Sequence, residues 1–208
     1  MKHLTDHTLA PKTWGCKYWP VIEVREATGR FEDVSFVLRP RENVERACWC
    51  LTYRLSPTAL AGVSRPEAMR ELCAHDPAPG LIAYSGSEPV GWCGVGPRAA
   101  YHRLVHSRTI QKVDELPAWS VVCFVVKGGH RGAGIASRLL EEAIEFARRN
   151  GAQAIEGYPV ESQGGRVSAS LAFPGSTNLF ERAGFTRIAP TQSKTGGKTR
   201  WIVRLDLN

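Results

Sequence analysis

An α/β fold is predicted by three features of the chain. Residues 119–160 read as strand, glycine-rich turn, amphipathic helix and strand. An antiparallel hairpin precedes them at 81–96, and a short helix with two further strands follows at 176–207.

Taken in order, residues 1–40 carry the weakest pattern. Trp14, Tyr18 and Trp19 need a place to pack, and the run 34–38 reads as a strand ended by Pro40. Residues 42–55 read as a helix with Val44, Ala47, Cys48 and Leu51 on one face. Ser64 and Glu67 form a capping box, serine as N-cap and glutamate three residues on, opening a helix that runs to about His75. The hairpin turns at Gly86-Ser87-Glu88-Pro89. Residues 98–118 form a polar, basic connection containing Tyr101, His102, Arg103, His106 and Arg108, which suits either a surface loop or the border of a binding site.

The central stretch is the most informative. Residues 120–126 are continuously apolar and β-branched, as expected of a strand covered on both faces. From Ile135, the residues Leu139, Leu140, Ala143, Ile144 and Ala147 recur at helical spacing. Glu141 and Glu142 lie nearer the helix start and Arg148 and Arg149 nearer its end, which suits the helix dipole. Asn150-Gly151 stops the helix. Residues 154–160 form the next strand, with Glu156 and Tyr158 on one face. A long loop rich in Gly and Ser covers 161–176. The helix after it is stopped by Gly184, Phe185 opens another strand, and Trp201, Val203, Leu205 and Leu207 alternate with more polar residues in the last.

Composition narrows the class. With 208 residues, 43% apolar and 23% charged, the chain reads as one domain over 1–208. No apolar run approaches the roughly 18 residues of a membrane span, and residues 1–11 lack a signal-peptide core, so no membrane partner and a cytoplasmic location are expected. Cysteines 16, 48, 50, 73, 93 and 123 suit reduced, buried thiols. Cys48-Trp49-Cys50 lacks the second ligand pair that structural zinc needs, and the six histidines form no H-x-x-x-H, so no metal is expected. The net charge of +7 comes from Lys and Arg spread along the chain, without a nucleic-acid motif. A basic surface that attracts a small polyanion explains it better than nucleic-acid binding.

The chemistry lies in the turn at 127–134. Glycines let successive N–H groups converge at a helix N-terminus, which makes an anion site suited to phosphate. The P-loop pattern fails because no lysine follows Gly134. The dinucleotide pattern fails because Ser137 stands where its third glycine belongs. R-x-x-G-x-A fits, as Arg131, Gly134 and Ala136, directly after a strand and opening a helix.

These residues resemble the pyrophosphate-binding signature Q/R-x-x-G-x-G/A of the GNAT superfamily of N-acetyltransferases. The resemblance covers about residues 60–207, most securely 119–160 and 176–185. Cys48-Trp49-Cys50 and Gly91-Trp92-Cys93 are similar to a bacterial subfamily of unassigned acceptor. The resemblance implies a mixed sheet of about seven strands, flanked by helices, whose fourth and fifth strands splay around the acetyl thioester. It implies acetyl-CoA as cosubstrate, held by Arg131, Gly132, Ala133, Gly134, Ile135 and Ala136, with main-chain groups of Phe124, Val125 and Val126 along the pantetheine arm. It implies a primary amine as acceptor, either a small molecule or a protein lysine or N-terminus, and leaves pairing into a homodimer open. The chain's basic balance argues against strongly cationic acceptors.

The departures from the family matter. The stretch 176–185 is similar to the second family signature, but Phe180 occupies the place of a tyrosine that often protonates the departing thiolate. Phe173 stands at a position often held by a pantetheine-contacting asparagine, and Ser120 at one where some members carry a glutamate base. Glu156 is then the first candidate base and Tyr158 the first candidate acid, each also readable as an ordinary buried or packing residue. Ser176 and Cys123 are weaker candidates. An acyl-CoA-binding regulatory protein with little turnover, and a nucleic-acid binder, remain as other readings.

Overall fold

The computed structural model describes residues 21–40, 48–162 and 173–207. The expectations for Trp14, Cys16, Tyr18 and Trp19, for the helical turn at 42–47 and for most of the 161–176 loop lie outside these.

Near the start, β1 (Ile22–Glu26) leads into α1 (Phe31–Leu38). This corrects the strand expected at 34–38. Phe31, Val34 and Val37 are buried at helical spacing, and Glu32 and Asp33 fall in the first turn, where the helix dipole favours acids. The short run read without Phe31-Glu32-Asp33 has no such phase. Pro40 does end the element, through an extended Arg39.

Residues 48–55 are turns rather than the expected helix. Trp49 and Cys50 have φ of 44° and 56°, two consecutive left-handed residues that no α-helix accommodates. Burial outweighs the local preference here: Trp49 stacks on Phe31 with centroids 6.5 Å apart, and Leu51 is fully buried. Two helices follow, α2 (Pro57–Ala61) and α3 (Arg65–Cys73). Ser64 is the N-cap of α3 as expected, but its side chain makes no capping bond, and the helix ends at Cys73, short of His75.

The hairpin is β2 (Gly80–Ser85) and β3 (Glu88–Pro97). The connection expected to be polar is partly core: a 3-10 turn (Arg98–Ala100) and α4 (His102–Val105) bury Tyr101 and Leu104. Next come β4 (Ala118–Val126), α5 (Ile135–Arg149) and β5 (Ala154–Gly157). The chain closes with α6 (Thr177–Arg182), β6 (Thr186–Thr195) and β7 (Lys198–Asp206).

The strands form one seven-stranded sheet in the order β1-β2-β3-β4-β5-β7-β6, parallel only between β4 and β5. Gly91 of β3 faces Ile135 and Leu139 of α5. The adjacent Trp92 therefore points to the other face, where its indole lies beside Gly94 and Cys123. Cys123 meets Cys50 there, so the 48–55 turn and α1 cover the face opposite α5.

Two irregularities open the sheet. Gly94 pairs with Cys123 but Val95 with Val121, so Val122 is an extra residue that bulges β4. Pairing of β4 with β5 stops at Val121 and Gly157, although β4 continues to Val126. The expected strand to residue 160 is thus cut short. Val160 instead makes isolated bridges to Ser176 and Arg200, and the fourth and fifth strands splay apart. In β7 the expected one-sided alternation fails, because Arg200, Ile202 and Arg204 are buried as well as Val203.

Candidate active site

The splay lies between two cavities. On the α5 side, a cleft of about 680 Å³ runs from the end of β4 over the glycine turn to α6. Gly132 and Gly134 have φ of +83° and +76°, a region that L-residues with side chains rarely enter, so the turn depends on glycine for its backbone path. A side chain at Gly134 would meet open space, so packing does not select the glycine. Gly134 is also the N-cap of α5 and offers no side-chain cap, which leaves the first amides of a 15-residue helix facing the cleft.

Phe124, Val125, Val126, Arg131, Gly132, Gly134, Ile135 and Ala136 all border this cleft; Ala133, expected with them, does not. His130, Ser137 and Arg182 also line it, and no Asp or Glu does among the described residues. The cleft is therefore electropositive and lined by main chain, which fits a polyanionic ligand. Arg131 bends back so that its Nε donates to the Val126 carbonyl at 3.4 Å. The amide of Phe124 is engaged by the Phe173 carbonyl at 2.7 Å. Alternation along β4 turns the Val126 amide the same way, toward the open side.

On the other face, a second cavity of about 640 Å³ shares Val125 and Phe173 with the first. It is assembled from separate segments: Cys48, Trp49, Cys50 and Tyr53; Arg103; Val122 and Cys123; Lys194 and Arg200. Cys50 and Cys123 are buried thiols with sulfurs 3.2 Å apart, and Cys48 is exposed beside Thr52. The hydrogen bond to Cys123, and then burial, push the Cys50 thiol well above its ordinary value, which disfavours a thiolate nucleophile there.

Glu156 and Tyr158 come together but line neither cavity. The Tyr158 hydroxyl donates to Glu156 Oε2 at 3.0 Å and lies 2.9 Å from Ser120 Oγ. Arg98 and Arg204 flank the Glu156 carboxylate at 3.6 and 3.9 Å. All five are buried. Burial raises the Glu156 carboxyl above its ordinary value, opposed by the Tyr158 hydrogen bond and the two guanidiniums. Burial, then the Glu156 charge, raise the Tyr158 phenol as well. The cluster reaches the second cavity through main chain, since Arg200 Nε donates to the Tyr158 carbonyl at 3.0 Å.

Phe180 is fully buried, edge-on to Phe124 and Phe185 at 6.1 and 5.0 Å. A Cβ on Gly157 would stand 2.2 Å from its ring, so this glycine lets α6 seat against the end of β5. Ser176 caps α6 by accepting from the Leu179 amide and also borders the first cleft. Arg98, Arg200 and Arg204 were not foreseen. In a terminal strand that alternates with apolar residues, an arginine reads as solvent-facing, and only the buried partners reveal otherwise.

Among the described residues, no cluster of three or more His, Cys, Asp or Glu is arranged to hold a metal, and no helix is long and apolar enough to cross a membrane. No curated protein matches the chain in sequence. Solved structures do match in fold. An N-acetyltransferase from Staphylococcus aureus Mu50 is 18% identical, with a TM-score of 0.54 over 90% of this chain and 99% of its own. The Drosophila melanogaster polyamine N-acetyltransferase, an enzyme that catalyses the formation of N-acetylagmatine, is 17% identical, with a TM-score of 0.54 over 90% of this chain and 100% of its own. The NatC complex bound to Gag peptide and CoA gives 17% identity and a TM-score of 0.53 over 90% of this chain and 99% of the matched chain. The model of the acetyltransferase (GNAT) family matches residues 49–185, about two thirds of the sequence, and the chain belongs to that family.

Proposed function

We propose that the protein transfers an acetyl group from acetyl-CoA directly to a primary amine. The observation that carries this reading is the pair of cavities meeting at Val125 and Phe173, where β4 and β5 part. One is suited to phosphate groups and the other is open to an acceptor, so two substrates can approach one point from opposite faces of the sheet.

In this reading the coenzyme pyrophosphate sits on the main chain of Arg131, Gly132 and Gly134 and on the amides of Ile135 and Ala136 at the start of α5. Arg182 adds positive charge along the same cleft, which His130 also lines. The Val126 amide is the candidate donor to the thioester carbonyl or pantetheine. The amine, as its neutral form, attacks the acetyl carbon; the C–N bond forms, the C–S bond breaks, the amine loses one proton and the thiolate takes one up. Holding both reactants at the splay supplies much of the acceleration, because the encounter becomes intramolecular.

Glu156 is the proposed terminal base, its carboxyl raised by burial and so a stronger base than a surface glutamate. Tyr158, whose phenol holds its proton more tightly than usual, suits a relay hydroxyl better than a net acid. Its link to Ser120 gives that relay a second arm. Cytoplasmic conditions agree with the buried thiols Cys50, Cys73, Cys93 and Cys123.

Calorimetric binding of acetyl-CoA, followed by thiol release on a panel of amines and lysine peptides, tests the proposal. Binding that Arg131→Glu abolishes, with turnover on an acceptor, is the expected result. No acetyl-CoA binding overturns it. Binding without turnover across the panel favours a regulatory acyl-CoA binder instead.

A further inference from the structure

The acceptor-side cavity contains a cation with no counter-charge among the described residues. Arg200 of β7, opposite Val160 in the splay, is 5% exposed and lines the cavity. Its Nε donates to the Tyr158 carbonyl at 3.0 Å and its Nη1 to the Tyr53 hydroxyl at 2.8 Å. Both acceptors are neutral. Nη2 is buried and has no hydrogen-bond partner among the described residues. The two other buried guanidiniums among the described residues, Arg98 in the 3-10 turn and Arg204 of β7, both face the Glu156 carboxylate, and Arg204 also contacts Asp114 and Asp206.

A buried cation without a counter-charge is costly, and a ligand that brings an anion to it offsets that cost. Two of the three guanidinium nitrogens hold Arg200 in a fixed orientation at the cavity wall, so little ordering of the side chain is left for a ligand to impose. The rim repeats the sign: Arg103 and Lys194 are exposed lining residues, and no Asp or Glu lines the cavity among the described residues. A cationic acceptor would meet only repulsion there.

We propose that the acceptor is an amine that also bears a carboxylate, seated on Arg200 Nη2 with its amino group directed to the splay at Val125 and Phe173. This rests on the acetyl-transfer reading for the amine, but the carboxylate site itself stands on the cavity. Charge-assisted hydrogen bonds of this kind discriminate by about tenfold to a hundredfold against an analogue that lacks the charged group.

The test has two arms on the full chain. In the first, α-, β- and γ-amino acids of varied side chain are compared with their carboxamides as acceptors, by thiol release from acetyl-CoA. The expected result is a preference in kcat/KM for at least one acid over its amide by about tenfold or more. Turnover of amides or diamines equal to or better than that of the acids overturns the proposal while leaving the acetyltransferase reading intact. In the second, intrinsic tryptophan fluorescence, to which Trp49 in the cavity wall contributes, follows titration with the corresponding carboxylates that lack the amine, which needs neither turnover nor acetyl-CoA. Saturable quenching, weakened in Arg200→Gln and retained in part in Arg200→Lys, supports the site. Wild-type protein that does not respond to any carboxylate, with no preference for acids in the first arm, overturns it. Absence of acetyl-CoA binding would overturn the acetyltransferase reading alone, and the fluorescence arm would then decide this one. Both variants are first checked for an unchanged thermal transition; if either fails to fold, the wild-type titration decides.

Discussion

The two cavities on either side of the splay are built by different means. The α5-side cleft is mainly backbone: left-handed glycines, uncapped helix amides and the open edge of β4, with basic side chains added at its rim. The second cavity is made of side chains drawn from six separated stretches between Leu38 and Arg200, and its enclosed cation Arg200 is held by a tyrosine hydroxyl and a carbonyl from elsewhere in the chain. A site made of contiguous backbone tolerates change at most side chains and fails at its glycines. A site assembled from distant side chains fails at single contacts and can change its ligand without disturbing the fold.

The sharpest way to break this contrast is Gly134→Asp. It places a carboxylate and a strained left-handed residue at the proposed phosphate turn, and acetyl-CoA affinity measured by calorimetry should fall by about a hundredfold or more. If affinity survives, the backbone account of the cleft is wrong. Gly157→Ala comes next. The added methyl would collide with the buried Phe180 ring, and denaturant unfolding should show a loss of about 1–3 kcal/mol. That variant asks whether the close fit of α6 on β5 holds the splay in shape.

Tyr53→Phe touches only the other side. It removes the acceptor of the Arg200 Nη1 bond, for a cost of about 1 kcal/mol. Acceptor KM in steady-state kinetics should therefore rise severalfold while calorimetric acetyl-CoA affinity stays unchanged. Equal effects on both substrates would show that the cavities are not separable.

The smallest effect concerns Glu156. Its carboxyl is raised in the folded chain, so between the ordinary carboxylate value and the raised one the folded state binds more protons than the unfolded state. Stability from this group is therefore fully present below the ordinary value and declines as pH rises through that window. Glu156→Gln should flatten this part of a Tm-versus-pH profile. An unaltered slope would mean that Arg98 and Arg204 offset the burial.

The contrast also explains what could be read in advance. The strand, turn and helix at 119–151 are contiguous, and their glycine positions and 3.6-residue period are local properties; the cleft bordered by eight of the nine expected residues follows from them. The hairpin and α6 were legible for the same reason. Local reading failed where burial overrode it. Val34 to Leu38 is helical because Phe31 lies one turn earlier and anchors Trp49. Trp49 and Cys50 take left-handed conformations because their side chains are buried under the sheet, against the helical preference of the segment.

By itself, then, the sequence determined the α/β class, the strand, glycine turn and helix at 119–151 and the family, all properties of neighbours in the chain. Only the tertiary structure decided that Glu156 and Tyr158 lie within a buried network behind the cavities. It also decided that Cys50 meets Cys123, and that Arg200 is enclosed with one nitrogen unpartnered among the described residues. Those facts depend on which distant side chains share a desolvated space, and hydrophobic periodicity carries no record of that.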